Sequence, residues 1–208
     1  MERNGLYGLL AAVFRSELTG DILGHLLDPG FRRDLAAVGF DVDGFSSLEP
    51  NEASLDDLSL EFSRLFMGPG NHASPYESVH TGGAGGSLWG PETSAVKRFI
   101  EQSGFAYDAE YHGLPDHIGV ELEFMAHLTG VEAEAWRARD RGKAMNCLRF
   151  QKEFIDRHLG RWAGPFSEKV AELAELPFYP AMAMLARDFV EAEQQELKRM
   201  DDLPELAN

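Results

Sequence analysis

The feature that most constrains this chain is a spacing. From Leu6 to Val190 the apolar residues recur three and four positions apart, and glycine or proline interrupts the runs. Leu6, Leu9, Leu10, Val13 and Phe14 make the first stripe, and Leu55, Leu58, Phe62, Leu65 and Phe66 another. Val96, Phe99 and Ile100 follow, then Ile118, Leu122 and Met125, and finally Met182, Leu185, Phe189 and Val190. Such spacing puts one apolar face on each helix. Alternation of period two is almost missing. Phe40 and Val42 alternate with Asp41 and Asp43, too briefly for a strand. No repeat of fixed period argues for a solenoid. The expected class is all-α, a bundle of nine or ten helices. The chain has 208 residues, 44% of them hydrophobic, enough for one sizeable core or two lobes that share a boundary. The connection 104–113 is the best place for that boundary, between an N-terminal lobe 1–104 and a C-terminal lobe 114–208.

Glycine and proline set the expected limits of the helices. Pro115 suits a first turn and Gly130 a stop, so the spacing predicts a helix over 115–130 that carries Asp116, His117 and Glu121 near its start. A long helix is predicted from Glu132 to Leu159 with Trp136 inward, broken by Gly160 and by Gly164-Pro165 around Trp162. Ser54 with Asp57 resembles a capping box. Between Gly68 and Gly90 lies an expected long loop, which holds Pro75, Tyr76, Glu77, Ser78, Val79 and His80 before a glycine-rich run to Trp89. A loop of that length in a compact domain is more often functional or mobile than idle.

Charge narrows the function classes. Lys and Arg number 19 against 35 Asp and Glu, so the net charge is 19 − 35 = −16. That balance argues against nucleic acid and anionic membranes, and fits a basic partner or simply a soluble protein. The single cysteine, Cys147, excludes an internal disulfide and reads as a small core residue. No secretory leader is evident, and no apolar run approaches the roughly 20 residues that span a bilayer. The expected location is the cytoplasm.

Several motifs invite chemical readings. His117 with Glu121, and Glu123 with His127, have i,i+4 spacing that could ligate a metal. Glu121 and Glu123 lie about 200° apart on a helix, so the two pairs cannot share an ion. Neither pair matches the zinc-protease pattern. Asp116 and His117 point about 100° apart and cannot orient each other as a catalytic dyad does. Ser74 and Ser78 lack a nucleophile elbow. The glycine-rich 82–90 run lacks the Lys-Ser/Thr ending of a phosphate loop. A helical metal-dependent hydrolase using His117, Glu121 and a further histidine is the alternative to a binding protein. Tyr76, Trp89, Tyr107 and Tyr111 are aromatics in or near loops, suited to an apolar and cationic peptide.

Taken in order, three blocks resemble the TorD/DmsD/NarJ family of redox-enzyme maturation chaperones. They are Glu61 with Leu65-Phe66 and Gly68; Pro75-Tyr76-Glu77-Ser78-Val79; and Pro115-Asp116-His117-Ile118 with Glu121-Leu122 and Phe124-Met125. Phe154, His158-Leu159, Trp162, Pro165-Phe166 and Pro177-Phe178-Tyr179 continue the similarity. The resemblance implies an all-α fold of two hinged lobes and no catalytic turnover. It implies a client, the apo form of a molybdoenzyme subunit with its twin-arginine signal peptide, held in the cytoplasm for molybdopterin insertion before export. It carries peptide binding onto Tyr76, Glu77, Ser78, Asp116, His117 and Glu121, with Pro75 lining a groove for the apolar stretch. It implies no resident cofactor, weak guanine nucleotide binding in some members, and a monomer or domain-swapped dimer.

Overall fold

The computed structural model describes residues 3–37, 52–68, 70–82, 88–105 and 113–201. Helix α1 (Arg3–Arg15) is followed by α2 (Gly20–Leu27) and α3 (Pro29–Ala37). Helix α4 (Glu52–Phe62) runs on as a π-helical turn, Ser63–Met67, which stops at Gly68. A short α5 (Glu77–Thr81) and α6 (Pro91–Gln102) come next. Four longer helices complete the chain: α7 (Ile118–Arg137), α8 (Arg141–Arg157), α9 (Leu159–Leu173) and α10 (Phe178–Asp201). Among the described residues no strand forms, and one isolated antiparallel bridge joins Tyr76 to His117. The all-α expectation holds.

One hydrophobic core takes side chains from α1, α4, α6, α7, α8, α9 and α10. Helices α1 and α7 pack at its centre. Gly119 permits their approach, because a Cβ there would meet the Ala11 carbonyl oxygen at 3.1 Å. Phe14, Phe66, Phe166 and Tyr179 interlock edge-to-face or stacked between α1, the π turn, α9 and α10. Arg3 ties the ends of the chain together by donating to Glu193, Glu132 and Gln151. The expected lobe boundary falls largely on 106–112, outside the described residues.

Several expected limits moved. Helix α7 begins at Ile118 rather than Pro115, and Gly130 lies inside it. Packing of Leu128, Glu132 and Ala135 carries the helix past that glycine, whose cost is only about 1 kcal/mol. The long helix expected over 132–159 is two, divided at Arg139, which takes φ 59°. No glycine marks this turn; the signal is Asp140, whose side chain accepts from Lys143 N at 2.9 Å and caps α8. Trp136, at this turn, is 42% exposed rather than inward.

Helix α9 runs through Gly160, Gly164 and Pro165. An interior proline costs about 3 kcal/mol. Full burial of Trp162 and Phe166 removes about 150–250 Å² each from water, at about 25 cal/mol per Å², which exceeds that cost. Gly160 belongs to the tight junction with α8, where a Cβ would stand 2.6 Å from the Ile155 carbonyl oxygen. Ser54 lies inside α4, which starts at Glu52, and is not its cap. The loop expected over 68–90 contains α5.

Candidate client-binding site

The segment before α5 runs antiparallel to the residues that open α7. Tyr76 (φ −125°, ψ 131°) and His117 (φ −77°, ψ 136°) are both extended, which lets them pair. Ile118 N donates to Pro75 O at 2.8 Å, and Glu77 N to Asp116 O at 2.9 Å. Each of these residues then starts a helix, so the bridge sets two helix N-termini side by side. The Tyr76 ring, half-buried, meets the His117 ring edge-on at 5.2 Å.

His117 is the N-cap of α7. Its Nδ1 accepts from Gly119 N at 3.0 Å, so that nitrogen carries no proton. Burial, and secondarily the nearby Arg15 charge, lowers its pKa to about 4, which keeps the imidazole neutral. Asp116 does the same work for α5: its Oδ2 accepts from Ser78 N and from Thr93 Oγ1 on α6, each at 3.1 Å. One carboxylate oxygen thus holds α5, α6 and the start of α7 together.

Below the bridge lie two more carboxyls. Glu77 Oε2 meets His158 Nδ1 at 3.0 Å, at the α8–α9 junction. Glu121 Oε2 accepts from Trp162 Nε1 at 3.2 Å. His80 stacks on Trp162 with ring centres 5.3 Å apart and places Nε2 2.7 Å from Ser74 O. Burial and then that backbone contact shape His80, the net effect being a lowered pKa. Glu77, Ser78, Asp116 and Glu121 are all 0% exposed. Burial first, and then the Glu77 charge, raises the Glu121 pKa well above the usual carboxylate range. With both carboxyls ionised, Glu77 Oε1 and Glu121 Oε1 would be left without a donor. A proton on Glu121, hydrogen-bonded to Glu77, supplies one.

The comparisons with known proteins bear on this arrangement. The family model described as nitrate reductase delta subunit matches residues 27–168. The chain belongs to that family. It is 28% identical to the chaperone protein TorD of Shewanella pealeana over 94% of this chain and 90% of that one. It is 26% identical to the chaperone protein TorD of Vibrio cholerae over 78% of this chain and 70% of the relative. A crystal structure from Archaeoglobus fulgidus, described as a redox enzyme maturation protein, superposes with a TM-score of 0.56 at 21% identity, covering 92% of this chain and 94% of the other. Membership of the nitrate reductase delta subunit family, with its TorD relatives, makes the chain a maturation chaperone and not an enzyme.

Within this family member the seven residues named from the sequence, Pro75, Tyr76, Glu77, Ser78, Asp116, His117 and Glu121, come together around one bridge. They do not present one face. Tyr76 reaches the surface, whereas the three carboxyls and Ser78 are sealed beneath it. The hydrolase alternative fails on geometry. His117 Nδ1 is occupied by Gly119 N, and Glu121 turns to Trp162 and Glu77, so the pair does not converge. Among the described residues no group of three His, Cys, Asp or Glu side chains is placed to hold a metal.

The candidate list from the sequence lacked His158, Trp162 and Thr93. The first two stand one helical turn apart, a signal that is visible in the chain, but their partners lie on other elements. Trp89, named from the sequence among the loop aromatics suited to a peptide, takes φ 68° and is 78% exposed. Trp89 stands just before Gly90, the N-cap of α6, the helix whose Thr93 donates to Asp116.

Proposed function

We propose that this chaperone binds the apo form of a molybdoenzyme catalytic subunit in the cytoplasm through its twin-arginine signal peptide, and holds it for molybdopterin insertion before export. The observation that carries this reading is the Tyr76–His117 bridge with three carboxyls stacked beneath it, in a protein of a chaperone family. A twin-arginine leader joins two guanidiniums to an apolar helix-forming stretch. Carboxylates are the matching partners for guanidinium, which they engage in bidentate fashion. The half-buried Tyr76, with Leu88 and Trp89 at 48% and 78% exposed, supplies apolar surface. An apolar helix laid along that surface is a helix-in-groove mode of recognition. The charge of −16 speeds encounter with a basic peptide and makes it sensitive to salt. Among the described residues no helix is long and apolar enough to cross a membrane, which suits a protein that meets its client before export.

Isothermal titration of the full chain with a synthetic Arg-Arg leader peptide tests the reading. Micromolar or tighter binding that weakens as ionic strength rises is the expected result. No heat with leaders from any molybdoenzyme subunit would sink it.

A further inference from the structure

The enclosure beneath the bridge is short of positive charge. Glu77, Asp116 and Glu121 are fully buried, and the basic side chain that the described residues bring against them is His158, 3.0 Å from Glu77. Asp116 Oδ2 has two donors, but Asp116 Oδ1, Glu77 Oε1 and Glu121 Oε1 have none, and Ser78 Oγ beside them is also unpaired. Buried carboxylates left in this state take up a proton or a cation.

We propose that Glu77, Asp116 and Glu121 form a receptor for one guanidinium of the client's leader, and that a proton shared between Glu77 and Glu121 occupies it until the client arrives. This rests on the leader-binding reading above and adds what the site exchanges. Helix α5 is the cover. It carries Glu77 and Ser78, is five residues long, and is flanked by Pro75 and Gly82. Lifting it breaks the Ser78 N contact to Asp116 and the Glu77 contact to His158 together. The guanidinium enters already charged, the proton leaves Glu121 for solvent, and no covalent bond to carbon changes. The charge of the enclosure is therefore the same before and after. Its five N–H donors in a planar fork suit several acceptor-only oxygens, whereas an ammonium offers three donors from one point.

The groups that face Glu121 agree with the exchange. Burial and the charges of Glu77 on α5 and Asp116 in the preceding loop favour its protonated form, against the Trp162 N–H from α9. His158 from the α8–α9 junction meets Glu77 at 3.0 Å, and His80 from α5 is stacked on Trp162. Arg15 on α1 sits by His117 and pairs with Glu123. Opening the cover also removes the burial that holds the proton on Glu121.

The test is titration of the full chain with an end-capped synthetic leader bearing Arg-Arg, in two buffers of different ionisation enthalpy, between about pH 6 and 8. The expected result is release of about one proton, with affinity rising up to about tenfold per pH unit while Glu121 is protonated. Glu121→Gln copies the protonated carboxyl, so its fold survives, and its binding should be weaker, independent of pH and free of proton release. A Lys-Lys leader should lose at least about tenfold and a Gln-Gln leader more. Wild-type binding without proton release, or a pH slope unchanged in Glu121→Gln, overturns the exchange and leaves leader binding standing. Equal binding of all three leaders overturns the guanidinium receptor. No binding by any leader overturns both the receptor and the reading beneath it.

Discussion

Glu77 and His158 stand 81 residues apart in the chain and meet at 3.0 Å, with neither open to solvent. This pair couples the short α5 to the junction of α8 and α9, and so couples the mid-chain loop to the C-terminal helices. Removing one member leaves the other buried and unpaired. His158→Ala should therefore cost about 3–5 kcal/mol in urea denaturation, far more than loss of an exposed ion pair. The exposed pair Arg157–Glu153 is the control, and Glu153→Ala should cost under about 1 kcal/mol.

His117 gives the protein an acid-sensitive limb. Its pKa falls from 6.5 in the unfolded chain to about 4 in the folded one. A lowered pKa means that the folded form resists the proton, so this contribution is fully present above pH 6.5 and is lost as pH falls through 4. The difference, 6.5 − 4 = 2.5, corresponds to about 3 kcal/mol at the acid end. His117→Asn keeps a side chain that caps helices well and removes the titration. Thermal melts between about pH 7 and 4 should show a shallower loss for the variant. Parallel curves would assign acid sensitivity to other groups.

Two glycines of α9 should respond in opposite directions to the same change. A Cβ at Gly160 would press on the Ile155 carbonyl oxygen at 2.6 Å, and backbone yields little. Gly160→Ala should lose about 1–3 kcal/mol. Gly164 has nothing within 4 Å of its would-be Cβ, so Gly164→Ala should gain about 0.5–1 kcal/mol from helix propensity. Chemical denaturation of the two variants side by side checks both signs.

Trp89 combines φ 68° with 78% exposure, an arrangement that stability alone does not favour. Trp89→Gly should relieve about 1–2 kcal/mol of left-handed strain and raise the melting temperature. The same substitution should weaken leader binding at least tenfold, which a titration would read directly. Unchanged affinity would place the apolar contact of the leader elsewhere on the chaperone.

Periodicity made the class legible, and local chemistry made the candidate site partly so. The stripes from Leu6 to Val190 needed no tertiary information, because burial of one face per helix is written at intervals of three and four. The blocks around Tyr76 and Asp116 were visible as polar groups beside a loop. Glycine and proline misled at Gly130, Gly164 and Pro165, where the burial of Trp162 and Phe166 and the packing of α7 outweigh local propensity, whereas Gly160 does mark the α8–α9 break, at His158. The turn at Arg139 went unseen since it uses a charged residue where glycine is usual.

The amino-acid order by itself settled that the chain is helical, that it is strongly acidic, and which carboxyls and aromatics stand near its mid-chain loop. Only the tertiary structure decided that Glu77, Asp116 and Glu121 are sealed together, with His158 and Trp162 brought to them from α8 and α9. The reason is physical. Helical spacing is a property of neighbours in sequence, whereas desolvation and charge pairing depend on which distant surfaces close over a group.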